Sequence, residues 1–188
     1  MKKLLITLCF AISLGACTTS SVKETAMTET STDRATETSM DSLYEVHDQG
    51  RIYVFNEYDL YKDFVKTGHT AYMKTYIGDG PKGETLVFGL TSKEKKMLSG
   101  WKHVDLFNGD RQATEPFYGE MVLEGRLYVF NTYQDMIDTR KVGEAIFRYT
   151  DIGAGPNGET VVYVLNKGNK KKKPEALMAE FKKMNNLS

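Results

Sequence analysis

The feature that most constrains this chain is a match to itself at an offset of 75 residues. Residues 50–90 laid on residues 125–165 without a gap give 20 identities in 41 positions. "GRIYVFNEY" meets "GRLYVFNTY", and "IGDGPKGETLVFGL" meets "IGAGPNGETVVYVL". Whatever this chain folds into must therefore be buildable from one unit used twice. A unit of about 60–70 residues buries only a marginal core by itself, and two copies are too few for a solenoid. The expectation is two tandem modules packed as a pseudo-twofold pair, sheet edge to sheet edge.

Each copy parses as ββαββ with a closing helix, an α+β pattern with antiparallel sheets. A short segment, 43–47 or 117–122, leads through "DQG" or "LEG" into "RIYVF" or "RLYVF". Aromatic and β-branched runs on either side of a glycine turn predict a hairpin. Asn56 and Asn131 are the expected N-caps, with Asp59 and Gln134 three positions on. The helices should end near Thr67 and Val142, where Gly68 and Gly143 supply left-handed caps. Tyr58, Tyr61 and Val65 share one face, as do Tyr133, Met136 and the stem of Arg140. Further strands are predicted over 71–77 and 85–90, and over 145–152 and 160–165.

"TSKEKKM" offers Thr91 as a cap with Glu94 at N3. "PEALMAEFKKM" puts Pro174 in a first turn and Leu177, Phe181 and Met184 on one stripe, so both stretches predict closing helices. The modules then cover 43–105 and 117–188, with 106–116 between them. Residues 101–116, which hold the sole tryptophan, are expected to be irregular.

The duplicated glycines are spaced like those of a phosphate-binding loop. Such a loop needs a helix after it and a lysine to neutralise phosphate. Here "TLVFGL" and "TVVYVL" are β-rich and short, and Glu84 and Glu159 stand where the lysine would be. The better reading is a type I turn with Pro81 or Pro156 in its second position and Gly83 or Gly158 in its fourth.

Catalytic types are sparse. His47 aligns with Val122 and His69 with Glu144, while His103 lies between the copies, so no histidine is duplicated. No pair at i,i+4 exists to grip a metal, and no cofactor is expected. The matched polar residues carry more information: Arg51 and Arg126, Tyr53 and Tyr128, Glu84 and Glu159. Arg51, Tyr53 and Phe55 alternate onto one strand face, which would make a binding platform of guanidinium and aromatic groups. The competing account packs Tyr53 and Phe55 into the core and pairs Arg51 with Glu84. Lys170, Lys171, Lys172 and Lys173 form a basic run that either approaches anionic lipid or is a solvated loop.

The amino terminus fixes a compartment. Lys2 and Lys3 precede an apolar run, and Leu14-Gly15-Ala16-Cys17 follows it, the layout of a secretory signal. That tetrapeptide resembles the lipobox of bacterial lipoproteins. The resemblance implies removal of residues 1–16 and lipid on Cys17, and Thr18-Thr19 after it implies sorting to an outer membrane. Several acyl chains on one residue anchor stably where one does not. With Cys9 in the leader and Cys17 lipidated, the folded region keeps no cysteine for a disulfide, nucleophile or metal.

Residues 18–42 hold 13 Ser or Thr among 25 and little that could make a core, so 17–42 reads as a lipidated flexible tether. Formal charge is zero overall and +1 over residues 43–188, which gives no footprint for nucleic acid. The resulting expectation is an envelope lipoprotein acting as a non-catalytic binding or assembly module. Its partners would be the membrane through Cys17 and an envelope protein. Two other classes stay open: an envelope enzyme with an asymmetric site near His69, Glu84 and Tyr72, and a carrier of a small ligand such as heme.

Overall fold

Alternation along the strands decides how the chain layers. The computed structural model describes residues 40–187; the expected leader, Cys17 and nearly all of the Ser/Thr-rich stretch lie outside the described residues. Strand β1 (Asp41–Asp48) turns into antiparallel β2 (Arg51–Phe55). Helix α1 (Tyr58–Thr67) follows, then the hairpin of β3 (Met73–Tyr76) and β4 (Thr85–Gly89). A 3-10 turn at Glu94–Lys96 leads to the short helix α2 (Lys102–Asn108). The same order recurs in β5 (Phe117–Leu123), β6 (Arg126–Phe130), α3 (Tyr133–Val142), β7 (Phe147–Asp151), β8 (Thr160–Leu165) and α4 (Glu175–Met184).

The expected pair of antiparallel sheets does not form. All eight strands make one mixed sheet in the order β3-β4-β2-β1-β5-β6-β8-β7. The hairpins are antiparallel, but β2 runs parallel to β4 and β6 to β8, because a helix crosses over between each pair. The two central strands β1 and β5 are also parallel, with Leu43 opposite Gly119 and Glu45 opposite Met121.

This parallel junction has a geometric result: residues matched at the 75-residue offset point to opposite faces. Ile52 and Val54 pack with Leu106 and Phe107 of α2 and with Tyr133 and Met136 of α3. Their matched residues Leu127 and Val129 pack on the other face, with Tyr61 and Phe64 of α1 and Leu177 and Phe181 of α4. Helices therefore cover both faces, α2 with α3 on one and α1 with α4 on the other. Each fully buried Phe or Leu contributes about 1.5–3 kcal/mol by leaving water.

Local signals behave as their chemistry requires, with small shifts. Gly68 and Gly143 cap α1 and α3 at φ of 69° and 93°, a conformation costly for residues bearing a Cβ. The N-caps fall one residue later than expected, at Glu57 and Thr132; the Thr132 hydroxyl accepts the Asp135 N–H. Thr91 and Glu94 do form a reciprocal capping box at 2.9 and 3.2 Å, but over one 3-10 turn rather than a helix. Helix α2 occupies the stretch expected to be irregular. It buries His103, Leu106 and Phe107, and Trp101 donates its indole N–H to the Glu94 carbonyl at 3.0 Å.

Candidate functional site

The glycine-rich segments are turns. Gly83 N–H donates to Gly80 O, and Gly158 N–H to Gly155 O, both at 2.9 Å. Glu84 and Glu159 lock these turns by accepting the N–H of Lys82 and Asn157 at 2.7 and 2.8 Å. Glu84 is thereby committed to its own turn, and among the described residues it makes no ion pair with Arg51.

The remaining sequence candidates separate. Arg51 and Tyr53 line a depression of about 310 Å³ with His69, Thr70 and Thr75, and Tyr53 packs at a tilt against Phe64 with ring centroids 4.3 Å apart. Tyr128, matched to Tyr53, is buried on the opposite face. Arg126 and Glu159 line a different and larger groove. The parallel junction thus places the two copies of the supposed platform in unlike surroundings. Tyr72 and Glu84 are not among the residues that line the depression with His69.

The sequence reading missed two buried glutamates, Glu45 of β1 and Glu120 of β5, which lie one offset apart. Both are essentially inaccessible to solvent, 0% and 1% exposed. Their solutions to burial differ completely. Glu45 is neutralised by the chain itself. Arg140 of α3 donates from Nε to both carboxylate oxygens at 3.0 and 3.1 Å, and from Nη2 to Oε1. His47 Nε2 lies 2.9 Å from Oε2. The guanidinium also donates to the Phe107 carbonyl at 3.1 Å and lies 4.0 Å from that ring's centre. Burial would raise the Glu45 carboxyl, but the charge of Arg140 and the bonds from His47 and Arg140 hold it below the usual carboxylate range.

Glu120 has neutral partners. Tyr118 donates its hydroxyl to Oε1 at 2.6 Å, and Asn185, the residue closing α4, donates Nδ2 to the same oxygen at 3.0 Å. Tyr61 of α1 faces the carboxyl too. Among the described residues no cation forms an ion pair with Glu120, and the charge of Lys62 only partly offsets its burial. Burial therefore pushes its carboxyl up. It also pushes up the phenols of Tyr44, Tyr58, Tyr61 and Tyr118, so these rings stay protonated. Tyr44 stacks on Tyr61 at 5.0 Å, and the buried Tyr58 hydroxyl has no partner among the described residues.

The two side chains that bond Glu45 are both valine at the matched positions: Val65 stands for Arg140 and Val122 for His47. Both valines line the groove, of about 780 Å³, that opens over Glu120 between α1 and the end of α4. Lys62, Lys66 and Arg126 line it as well, and Pro156 and Asn157 of the β7–β8 turn form its lip. Lys62 holds its Nζ over the Tyr58 ring at 5.4 Å. Among the described residues, no group of three or more His, Cys, Asp or Glu side chains is placed to hold a metal ion, and no helix is long and apolar enough to cross a membrane. Compared with known protein families, curated proteins and solved structures, the chain matches none.

Proposed function

We propose that this chain is a lipid-anchored envelope protein, tethered through Cys17 and sorted to an outer membrane. In this reading its folded part is a non-catalytic binding module. The module arose by tandem duplication of a ββαββα unit, joined about a pseudo-twofold axis lying in the sheet and parallel to β1 and β5. Such an axis exchanges the faces of the sheet, in keeping with the opposite facing of Ile52 and Leu127. Duplication frees one copy of a structural feature to change while the other keeps it.

The observation that carries the reading is the contrast between the two glutamates. Glu45 is sealed under Arg140, whereas Glu120 lies beneath an open groove walled by Val65 and Val122. A buried carboxyl without a cation is costly to a fold, and its retention at the floor of a concave surface is what a recognition site requires. A binding role also suits the neighbours of Glu120. The groups bonded to it are phenols and an amide, which hold it still.

The test uses a photo-crosslinking residue at Val65 in intact cells, with another at exposed Leu98 for comparison. The expected result is a recurrent adduct from position 65 that is absent from position 98. Cys17→Ala should abolish labelling by radioactive palmitate and release the protein from membranes. Equal adducts from both positions, or none from membrane-bound protein, would overturn the groove as the site. Persistent membrane attachment of the Cys17→Ala protein would overturn the anchor.

A further inference from the structure

The groove's matched counterpart is occupied by part of the protein itself, and that occupant is a template for a ligand. At Glu45 the space is filled by an alkylguanidinium: the Arg140 head grips the carboxylate through Nε and Nη2, and its third nitrogen reaches a backbone carbonyl. At Glu120 the corresponding side chain ends at the two methyls of Val65, and the carboxyl is left with phenol and amide partners in place of a guanidinium. Shortening arginine to valine removes the whole guanidinium and most of its stem. The groove stands where they would have been.

We infer that the groove takes a ligand that inserts a guanidinium or alkylammonium group against Glu120, as Arg140 does against Glu45, and carries a carboxylate at its other end. This rests on the reading of the groove as a binding site and deepens it. The cationic end follows from Glu120, whose hydrogen-bonding partners are all neutral and which forms no ion pair among the described residues; Lys62 acts on it only from a distance. A fork of N–H donors matches a carboxylate better than a point charge does, which favours guanidinium. The anionic end follows from Lys62, Lys66 and Arg126 along the walls. Two wall carboxylates, Asp63 and Glu159, oppose them, and Glu159 is already engaged by Asn157. Arginine, free or as the last residue of a short peptide, carries both kinds of end, and a groove of about 780 Å³ accommodates it.

The experiment is isothermal titration calorimetry on the full-length protein in detergent, with four small probes. L-arginine should bind. L-citrulline, the same shape without the charge, should bind at least about tenfold more weakly, as expected when a charge-assisted bond is lost. Agmatine, which keeps the guanidinium and lacks the carboxylate, should fall between them, and L-lysine should bind more weakly than L-arginine. Glu120→Gln should lose at least about tenfold in arginine affinity. Val65→Arg should abolish binding by supplying its own guanidinium, and its thermal melt should be no lower than that of the parent, which shows that it is folded.

A tripeptide ending in arginine distinguishes the source: tighter binding than the amino acid assigns a peptide end, equal binding the free amino acid. The inference is overturned if neither arginine, agmatine nor lysine binds, if citrulline matches arginine, or if Glu120→Gln binds arginine unchanged. A surviving adduct at position 65 alongside such a failure would sink the ligand class and leave the groove standing. Loss of both would sink the two together.

Discussion

Breaking the Arg140–Glu45 pair should be the most damaging single change in the molecule, and the matched change at Glu120 should be mild. Arg140→Met removes a guanidinium that is 6% exposed and leaves a fully buried carboxylate behind. Loss of one partner from a buried pair costs about 3–5 kcal/mol, chiefly because the remaining charge is stranded. The released Phe107 carbonyl and ring contact add to this. Glu45→Gln should fall in the same range, since it strands the arginine instead.

Glu120→Gln removes no ion pair. Its amide oxygen can still accept from Tyr118 and Asn185, and the charged form is already disfavoured by burial, so the expected cost is about 1 kcal/mol or less. Urea denaturation with an unchanged slope would read these differences directly. A thermal melt should show Arg140→Met lowered by roughly 10 °C, at about 2–4 °C per kcal/mol for a domain of this size. The reasoning fails if Arg140→Met lies within about 1 kcal/mol of the parent, or if Glu120→Gln costs as much as Glu45→Gln.

Acid should weaken the fold through His103, which is completely buried. Burial pushes its imidazole down to about 4, against the attraction of Glu94 and Asp105; an unfolded chain takes up that proton near 6.5. Stability should therefore be full above 6.5 and fall as pH drops toward 4, by up to about 3 kcal/mol. His103→Phe should flatten that limb, and an unchanged acid slope would refute the assignment. Thr132→Ala should cost about 1 kcal/mol by removing the α3 cap, while Asn131→Ala should cost less than about 0.5 kcal/mol; the reverse order in urea melts would return the cap to Asn131. Gly89→Ala should lose about 1–3 kcal/mol by overpacking, because a Cβ there collides with the Phe55 ring. Adding Phe55→Leu should recover part of that loss, and strict additivity of the two would refute the clash.

The elements that were legible in the sequence are those whose cause is local. Gly68 and Gly143 end helices because of their own backbone freedom, and Pro81 and Pro156 set turns within four residues. Leu177 and Phe181 announce α4 by their spacing. Helix α2 was hidden because its seven residues carry no capping side chain at Trp101 and are held by packing of Leu106 and Phe107. The parallel β1–β5 junction was illegible because hairpin chemistry says nothing about which edges meet. That junction decides the faces, so Tyr53 and Tyr128 could not be known to part company. Glu45 and Glu120 lie just upstream of the aligned window. Carrying the 75-residue offset back to Glu45 would have paired two carboxylates within strands, and the same offset sets Val65 against Arg140. That pattern was available; its meaning needed the burial.

Where the chain enters its sheet has a mechanical consequence. Met40 packs against the aromatic cluster around Tyr44, and the next residue begins β1, one of the two middle strands. Tension applied at the amino terminus therefore runs lengthwise along β1. It loads the ladders to β2 and β5 in shear, so that their bonds resist together. A pull on an outer strand such as β3 would instead peel one bond at a time. Forced opening is a matter of rate rather than of equilibrium, and a body hung from this end is held by its most slowly yielding strand. Drag on a surface-tethered copy would reach the sheet before it reached either helix beside the groove.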